Sequence, residues 1–213
     1  MKVNLEILDS HFIYDEKEII DLDIKSLVPK MMMRRRLTRA AKILIYLANK
    51  CKFTQGKVVF GSAFGELDVT ASIIQAIAQE ELVSPTAFQN SVYNTAASYH
   101  SILHNNKAEV LTVSSFDKTS SDVLSTGALL AMQGEEIFLV AIETINTKNI
   151  NEVNACNYAL ECGVAMRVKI STNKTHSHAN TDFENTFIPR SLIDMVRLQK
   201  LHELGHNIIE VEL

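Results

Sequence analysis

The sequence predicts an α/β fold: a mixed five-stranded sheet with helices on both faces. Three observations carry that expectation. Strand-like and helix-like segments alternate along most of the chain. The strand-like segments are apolar nearly throughout, the pattern of strands covered on both faces. The chain has 213 residues, enough for one domain with a sizeable core.

The elements follow in order. Residues 2–13 alternate apolar and polar side chains and read as a strand or hairpin arm. Residues 14–30 are acidic and irregular, ending near Pro29. In 36–50, Leu37, Ala40, Ala41, Leu44 and Ala48 fall at helical spacing. Residues 57–63 form a short apolar strand. Residues 66–80 form a helix with Val69, Ile73, Ile74 and Ile77 on one face. Residues 88–104 read as one helix, rich in Ala and Ser and so able to lie close to its neighbours. Residues 108–114 are a strand, and 119–132 a helix that Gly134 can end in the left-handed conformation. Residues 137–144 and 157–170 are strands. The polar stretch 171–185 is a loop or linker. Residues 188–204 are a helix, with Pro189 near its first turn and Gly205 at its end, and 208–213 can form a closing strand. The expected organisation is a domain over 1–171, then a linker and helix/strand extension over 172–213.

Hydrophobic residues make up 46% of the chain, a value typical of globular proteins. The longest apolar runs, 128–132 and 137–142, are far too short for a membrane span. The N-terminus lacks the continuous apolar stretch of a signal peptide. Net charge is −4 and the pI is near 6.0, so bulk charge gives no reason to expect a nucleic-acid partner. The three cysteines, Cys51, Cys156 and Cys162, form no paired motif, which points to a reducing, cytoplasmic setting without disulfides.

The most informative stretch is 84–117. It opens with Ser84-Pro85-Thr86-Ala87-Phe88-Gln89-Asn90-Ser91-Val92-Tyr93-Asn94 and leads to the strand Val110-Leu111-Thr112-Val113. A sharp turn, Ser114-Ser115-Phe116-Asp117-Lys118, precedes a second small-residue helix. Pro85 to Asn94 is nine positions and Asn94 to Asp117 is 23. This spacing resembles, without a gap, the centre of a β-ketoacyl synthase, a thiolase-type condensing enzyme. In that family the nucleophilic Cys occupies the place held here by Asp117. The resemblance extends from about residue 34 to 171. Arg34-Arg35-Arg36-Leu37-Thr38-Arg39 is similar to the Arg-x-x-(Ser/Thr)-Arg opening of the family's first helix, and residues 58–65 to the strand and turn after it. Asp117 to Gly134 is 17 positions, the family's distance from nucleophile to helix-ending Gly. Tyr158-Ala159-Leu160-Glu161-Cys162-Gly163-Val164-Ala165-Met166 resembles a glycine-containing strand of the family.

The resemblance implies a thiolase-like half-fold. It also implies that catalysis is lost, since Asp117 replaces the thiol and only about forty residues follow Ile170. The catalytic His pair of a condensing enzyme lies in a second half that so short a tail does not supply. The nearest subfamily is the short ketosynthase-like proteins of aryl-polyene and flexirubin-type type II polyketide systems, which resemble chain-length factors. The implied function is therefore a non-catalytic ketosynthase-like subunit supporting a true β-ketoacyl-ACP synthase in polyketide or fatty-acid-type biosynthesis. The implied partner is a full-length ketosynthase in a heterodimer, or a second copy in a homodimer. In the family, residues just after the Ser-Pro pair cross the dimer interface and line the neighbour's acyl tunnel; here these are Ala87 and Phe88. For Phe88 the alternative is a plain core residue at a helix start. Arg34, Arg35 and Arg36, beside Met31 to Met33, are candidates for docking an acidic acyl-carrier protein, or simply a helix start.

An Asp at a helix N-terminus is favoured electrostatically and as a cap. It is a poor nucleophile toward a thioester, because the anhydride formed is more reactive than the ester. One alternative function is a small thioester hydrolase or acyltransferase using Asp117 or a nearby Ser (Ser114, Ser115, Ser120 or Ser121), although no general base can be placed. Another is metal binding through His202-Glu203-Leu204-Gly205-His206, which fits His-Glu-x-x-His. Gly205 weakens the helix where that pattern needs it, so no metal site and no cofactor are expected. His100 and His104 are also four apart, consistent with a metal pair or with a polar helix end. His176 and His178 read as solvated loop residues. Asn94 is expected to tie neighbouring loops through its amide.

Overall fold

The computed structural model describes residues 1–145, 161–173 and 187–213. Cys156, His176, His178, residues 157–160 of the strand predicted over 157–170 and residues 174–185 of the predicted loop lie outside the described residues. Strands β1 (Lys2–Asp15), β2 (Lys57–Gly61), β3 (Val110–Val113), β4 (Ile137–Thr144), β5 (Glu161–Ile170) and β6 (Ile208–Glu212) form one sheet in the order β3-β2-β4-β5-β1-β6. β2 pairs in parallel with β3 and β4, and the remaining pairings are antiparallel. The sheet is mixed, as expected, but has six strands. The sixth is the C-terminal closing strand, which pairs with β1 from Lys2↔Glu212 to Glu6↔Ile208.

The helices are α1 (Ile24–Leu27), α2 (Met31–Arg34), α3 (Arg39–Lys50), α4 (Leu67–Ala78), α5 (Pro85–Asn90), α6 (Thr95–His104), α7 (Thr119–Ala131) and α8 (Ile193–Glu203). They cover both faces. Every residue of β4 is buried. Because successive side chains of a strand point to opposite faces, Ile137, Leu139 and Ala141 join one core, with Val123 and Ala128 of α7 and Met195 and Val196 of α8. Phe138, Val140 and Ile142 join the other, with Ile43, Leu44 and Leu47 of α3. Close approach is set by glycine, Gly127 and Gly163 among them. A Cβ on Gly127 would collide with Leu139, and one on Gly163 would lie 2.8 Å from Ile43 Cγ2 and 2.9 Å from Leu47 Cδ1.

Local chemistry explains the helix starts. Thr38 caps α3 by accepting a hydrogen bond from Ala41 N. Ser84 accepts one from Ala87 N, and Pro85 fills the first helical position of α5, which needs no N–H donor. The single helix predicted over 88–104 is two. α5 ends at Asn90, and α6 begins after Asn94, the intervening residues forming a turn. Thr95 Oγ1 donates back to the Gln89 and Asn90 carbonyls across that break. Asn94 is the backbone cap of α6 without a side-chain cap bond. The amide that ties loops is instead that of Asn90, which donates to the Arg36 carbonyl and accepts from Tyr99 Oη. The apolar periodicity of α4 is present, but none of its residues is buried.

Candidate functional site

The turn between β3 and α7 contains the residue that sequence spacing singled out. β3 is an edge strand. After Ser115 the chain turns sharply because Phe116 takes φ 53°, an uncommon conformation for an aromatic residue. Phe116–Lys118 form a 3-10 turn that leads into α7. Thr119 holds this turn: its Oγ1 donates to the Phe116 carbonyl at 2.7 Å and accepts from Ser115 N at 3.1 Å. Asp117 was expected to cap the helix. It does not, because the 3-10 turn places Lys118 at the cap position, with no side-chain cap bond. The Asp117 carboxylate instead faces Arg190 Nη1 at 3.5 Å, with both side chains substantially exposed. Such a pair contributes about 1 kcal/mol at most.

Three loops meet at the Ala63 carbonyl. It accepts from Tyr93 Oη at 3.1 Å, from the α5–α6 break, and from Ser114 Oγ at 3.5 Å, from the β3 turn. Phe64 meets Phe116 edge-on, 5.7 Å between ring centroids. Tyr93 lies against Gly65, where a Cβ would be 3.1 Å from the ring. Beneath this junction is Glu143, the last-but-one residue of β4 and fully buried. Its carboxylate accepts from Ala63 N (2.6 Å), Ser191 Oγ (2.8 Å), Ser62 Oγ (3.0 Å) and Phe64 N (3.3 Å). Burial pushes its pKa up to about 7, against the opposing effect of those four donors. Glu143 therefore locks the end of β2 to β4 and to the turn before α8. Sequence reasoning missed it, although the signal was present: a Glu directly follows six apolar residues.

A second buried acid, Glu66, accepts from Thr38 Oγ1 at 2.6 Å, and burial raises its pKa to about 7. Glu161 is clamped by Arg39, Nε to Oε1 at 2.6 Å and Nη2 to Oε2 at 2.5 Å, and takes Ile19 N at 2.7 Å.

The other predicted residues lie on α5, at the end of α2 and in the turn after it. Ala87 is half-buried on α5, whereas Phe88 is 67% exposed. Phe88 is thus not a core residue of this chain. Ile74, Ile77, Leu82 (99% exposed), Val92 and Tyr93 share this exposure on α4, α5 and the turns beside them. Arg34 is occupied internally: its Nη1 donates to the Val28 and Pro29 carbonyls. Arg35 and Arg36 are exposed, as are Met31 and Met32.

Cys51 and Cys162 are buried in the cores, and burial pushes the Cys51 thiol up to about 12. The His-Glu-x-x-His segment is not presented on one helical face. α8 ends at Glu203, Gly205 takes φ 91°, and His206 lies in the turn to β6. His202 Nδ1 is hydrogen-bonded to Ser10 Oγ at 2.7 Å. Among the described residues no group of three His, Cys, Asp or Glu is placed to hold a metal. Among them, no helix is long and apolar enough to cross a membrane.

Comparison with known proteins matches residues 14–198 to a family model described as β-ketoacyl synthase, N-terminal domain. No curated protein matches the sequence. Among solved structures the chain is similar to a chain of the ketosynthase (ApeO) in complex with its chain length factor (ApeC) from Xenorhabdus doucetiae. The identity is 20%, over 93% of this chain and 92% of that one, with a TM-score of 0.71. It is similar to the ishigamide ketosynthase/chain length factor at 12% identity, covering 81% of this chain and 63% of that one, TM-score 0.64. It is also similar to a type II PKS acyl-carrier protein–ketosynthase complex (AntDE:AntF) at 13% identity, covering 80% and 64%, TM-score 0.63. The chain thus spans less than two thirds of the length of the latter two. These likenesses show the ketosynthase (thiolase) fold.

Proposed function

The chain belongs to the β-ketoacyl synthase N-terminal domain family, and from that premise we propose that it is a non-catalytic, chain-length-factor-type subunit. It pairs with a full-length β-ketoacyl-ACP synthase in polyketide or fatty-acid-type biosynthesis. The observation that carries this reading is Asp117. It stands at the strand-to-helix turn where the resemblance places the nucleophilic Cys, and it is engaged with Arg190. A carboxylate there does not form a stable acyl intermediate, and the described thiols, Cys51 and Cys162, are both buried. Glu143, the buried acid below the turn, has its oxygens occupied by four donors and no exposure, so it does not serve as a general base for the neighbouring serines.

The surface supports a partner role. Side chains such as Ile74, Leu82 and Phe88 form an apolar face that is costly to leave in water. The β3 edge, Val-Leu-Thr-Val, carries no charged side chain, whereas the opposite edge strand β6 carries Glu210 and Glu212. Charged edges resist further pairing and uncharged ones invite it. A ketosynthase seated on the β3 side would cover Phe88 and bring it to the partner's acyl tunnel, where it limits chain growth. Arg35 and Arg36, with Met31 and Met32, offer a basic and apolar patch for an acidic carrier protein; Arg34 is committed to its own loop.

The test is Phe88→Ala in a system reconstituted with the cognate ketosynthase and carrier protein. A longer product is expected with the complex intact; unchanged product length would remove Phe88 from this role.

A further inference from the structure

His100 lies on the buried face of α6 with 1% of its surface exposed. Its ring stacks on Phe53, centroids 5.6 Å apart and planes 15° from parallel, and Phe53 stacks in turn on Phe138 at 4.5 Å. The His100 Nε2 is sealed from solvent and has no hydrogen-bond partner. Buried polar atoms are almost always paired, and an orphan asks for a reason. One turn further along α6 stands His104, half-buried, its ring centroid 4.6 Å from that of His100 and tilted by 44°.

We propose that His100 and His104 form a two-histidine clip for a divalent transition-metal ion of the nitrogen-preferring class, Zn²⁺ or Cu²⁺. Positions i and i+4 put both rings on one face of the helix. In the tautomer that carries its proton on Nδ1, the unpaired His100 Nε2 offers a lone pair to a metal. The ring spacing fits. With metal–nitrogen bonds of about 2.1 Å and roughly 1.1 Å from nitrogen to ring centre, the centroids lie about 4.5 Å apart in a right-angled chelate, as at Cu²⁺, and about 5.2 Å apart in a tetrahedral one, as at Zn²⁺; the observed 4.6 Å is nearest the former. His104 opens onto a cavity of about 270 Å³ lined also by Asn49, Phe53 and Thr54, with room for water or an external ligand on the metal. Lys52, the cation on that cavity, has its ammonium drawn to Asp9 at 3.2 Å. The clip is independent of the reading of the β3 turn.

Titrating the metal-stripped full chain with Zn²⁺ by calorimetry tests this. One equivalent should bind with a dissociation constant on the order of micromolar, weakened at least about tenfold in His104→Ala and unchanged in His202→Ala and His206→Ala. Because His104 is only half-buried, its variant should fold. His104→Gln, which keeps the side-chain volume, gives the same result if the alanine variant is unstable. With Cu²⁺, electron paramagnetic resonance should show two nitrogen ligands in the wild type and fewer in the variants. No Zn²⁺ binding up to about 100 μM, or the same affinity in wild type and the His104 variants, would overturn the proposal.

Discussion

Glu143 makes a prediction whose sign is opposite to that of an ordinary ion-paired carboxylate. Folding lifts its pKa from 4.5 to about 7, because burial outweighs the four donors around it. The folded state therefore holds the proton more tightly than the unfolded chain. The stabilisation is fully present below about pH 4.5 and is lost as pH rises toward about 7. At about 1.4 kcal/mol for each tenfold in proton affinity, the whole loss is about 3 kcal/mol, and roughly 2–3 kcal/mol of it falls between pH 5 and pH 8. Glu66, raised to about 7 for the same reason, adds a loss in the same direction. Glu143→Gln isolates one group. The amide keeps one acceptor oxygen, and the Ser62 and Ser191 hydroxyls can rotate to suit it. The amide NH₂ is then set against Phe64 N, the longest of the four contacts at 3.3 Å. Urea unfolding followed by circular dichroism at pH 5, 6, 7 and 8 should show wild-type stability falling with pH, and a shallower fall in the variant. An equal slope in both proteins, or wild-type stability that rises from pH 5 to pH 8, would refute the reasoning.

Two further outcomes follow from packing and charge. Arg39→Ala strips the guanidinium from Glu161, a carboxylate only 8% exposed, leaving it Ile19 N. A loss of about 3 kcal/mol is expected, at the low end for a broken buried pair because Arg39 itself is 28% exposed. It should read as a melting temperature lower by about 10 °C, and a change within about 2 °C would count against it. Gly163→Ala forces a methyl between Ile43 and Leu47, at 2.8 and 2.9 Å. It should cost about 1–3 kcal/mol in chemical denaturation, and a neutral result would mean that α3 can retreat from β5.

Much of this architecture was legible in the sequence because core strands are hydrophobic on both faces. β4 was found to the residue, since an apolar run bounded by Gly134 and a polar stretch of sequence has few other readings. The single helix over 88–104 was too generous. Small and polar residues at Ser91 and Asn94 suit either a helix or a turn, and the hydrogen bonds of Thr95 to the Gln89 and Asn90 carbonyls decide the matter in three dimensions. Val69, Ile73, Ile74 and Ile77 showed a true amphipathic period, but periodicity says that a face is apolar, not what covers it. On α4 that face is left unburied among the described residues. Asp117 was located by spacing alone. Its failure to cap α7 depended on Phe116 adopting a positive φ, which no propensity foretells. Glu143 was overlooked because its partners come from β2, the following turn and the segment before α8, and only the fold brings them together.

As proposed above, this chain works as a partner of a ketosynthase and not as an enzyme. Affinity purification of the chain from its native host, with mass spectrometry and size determination of the eluate, tests that most directly. The expected result is a complex with a full-length β-ketoacyl synthase in equal stoichiometry, whose thioester condensation persists when Asp117 is replaced by Asn. A chain that elutes alone and turns over acyl thioesters, with Asp117→Asn abolishing the activity, would contradict it.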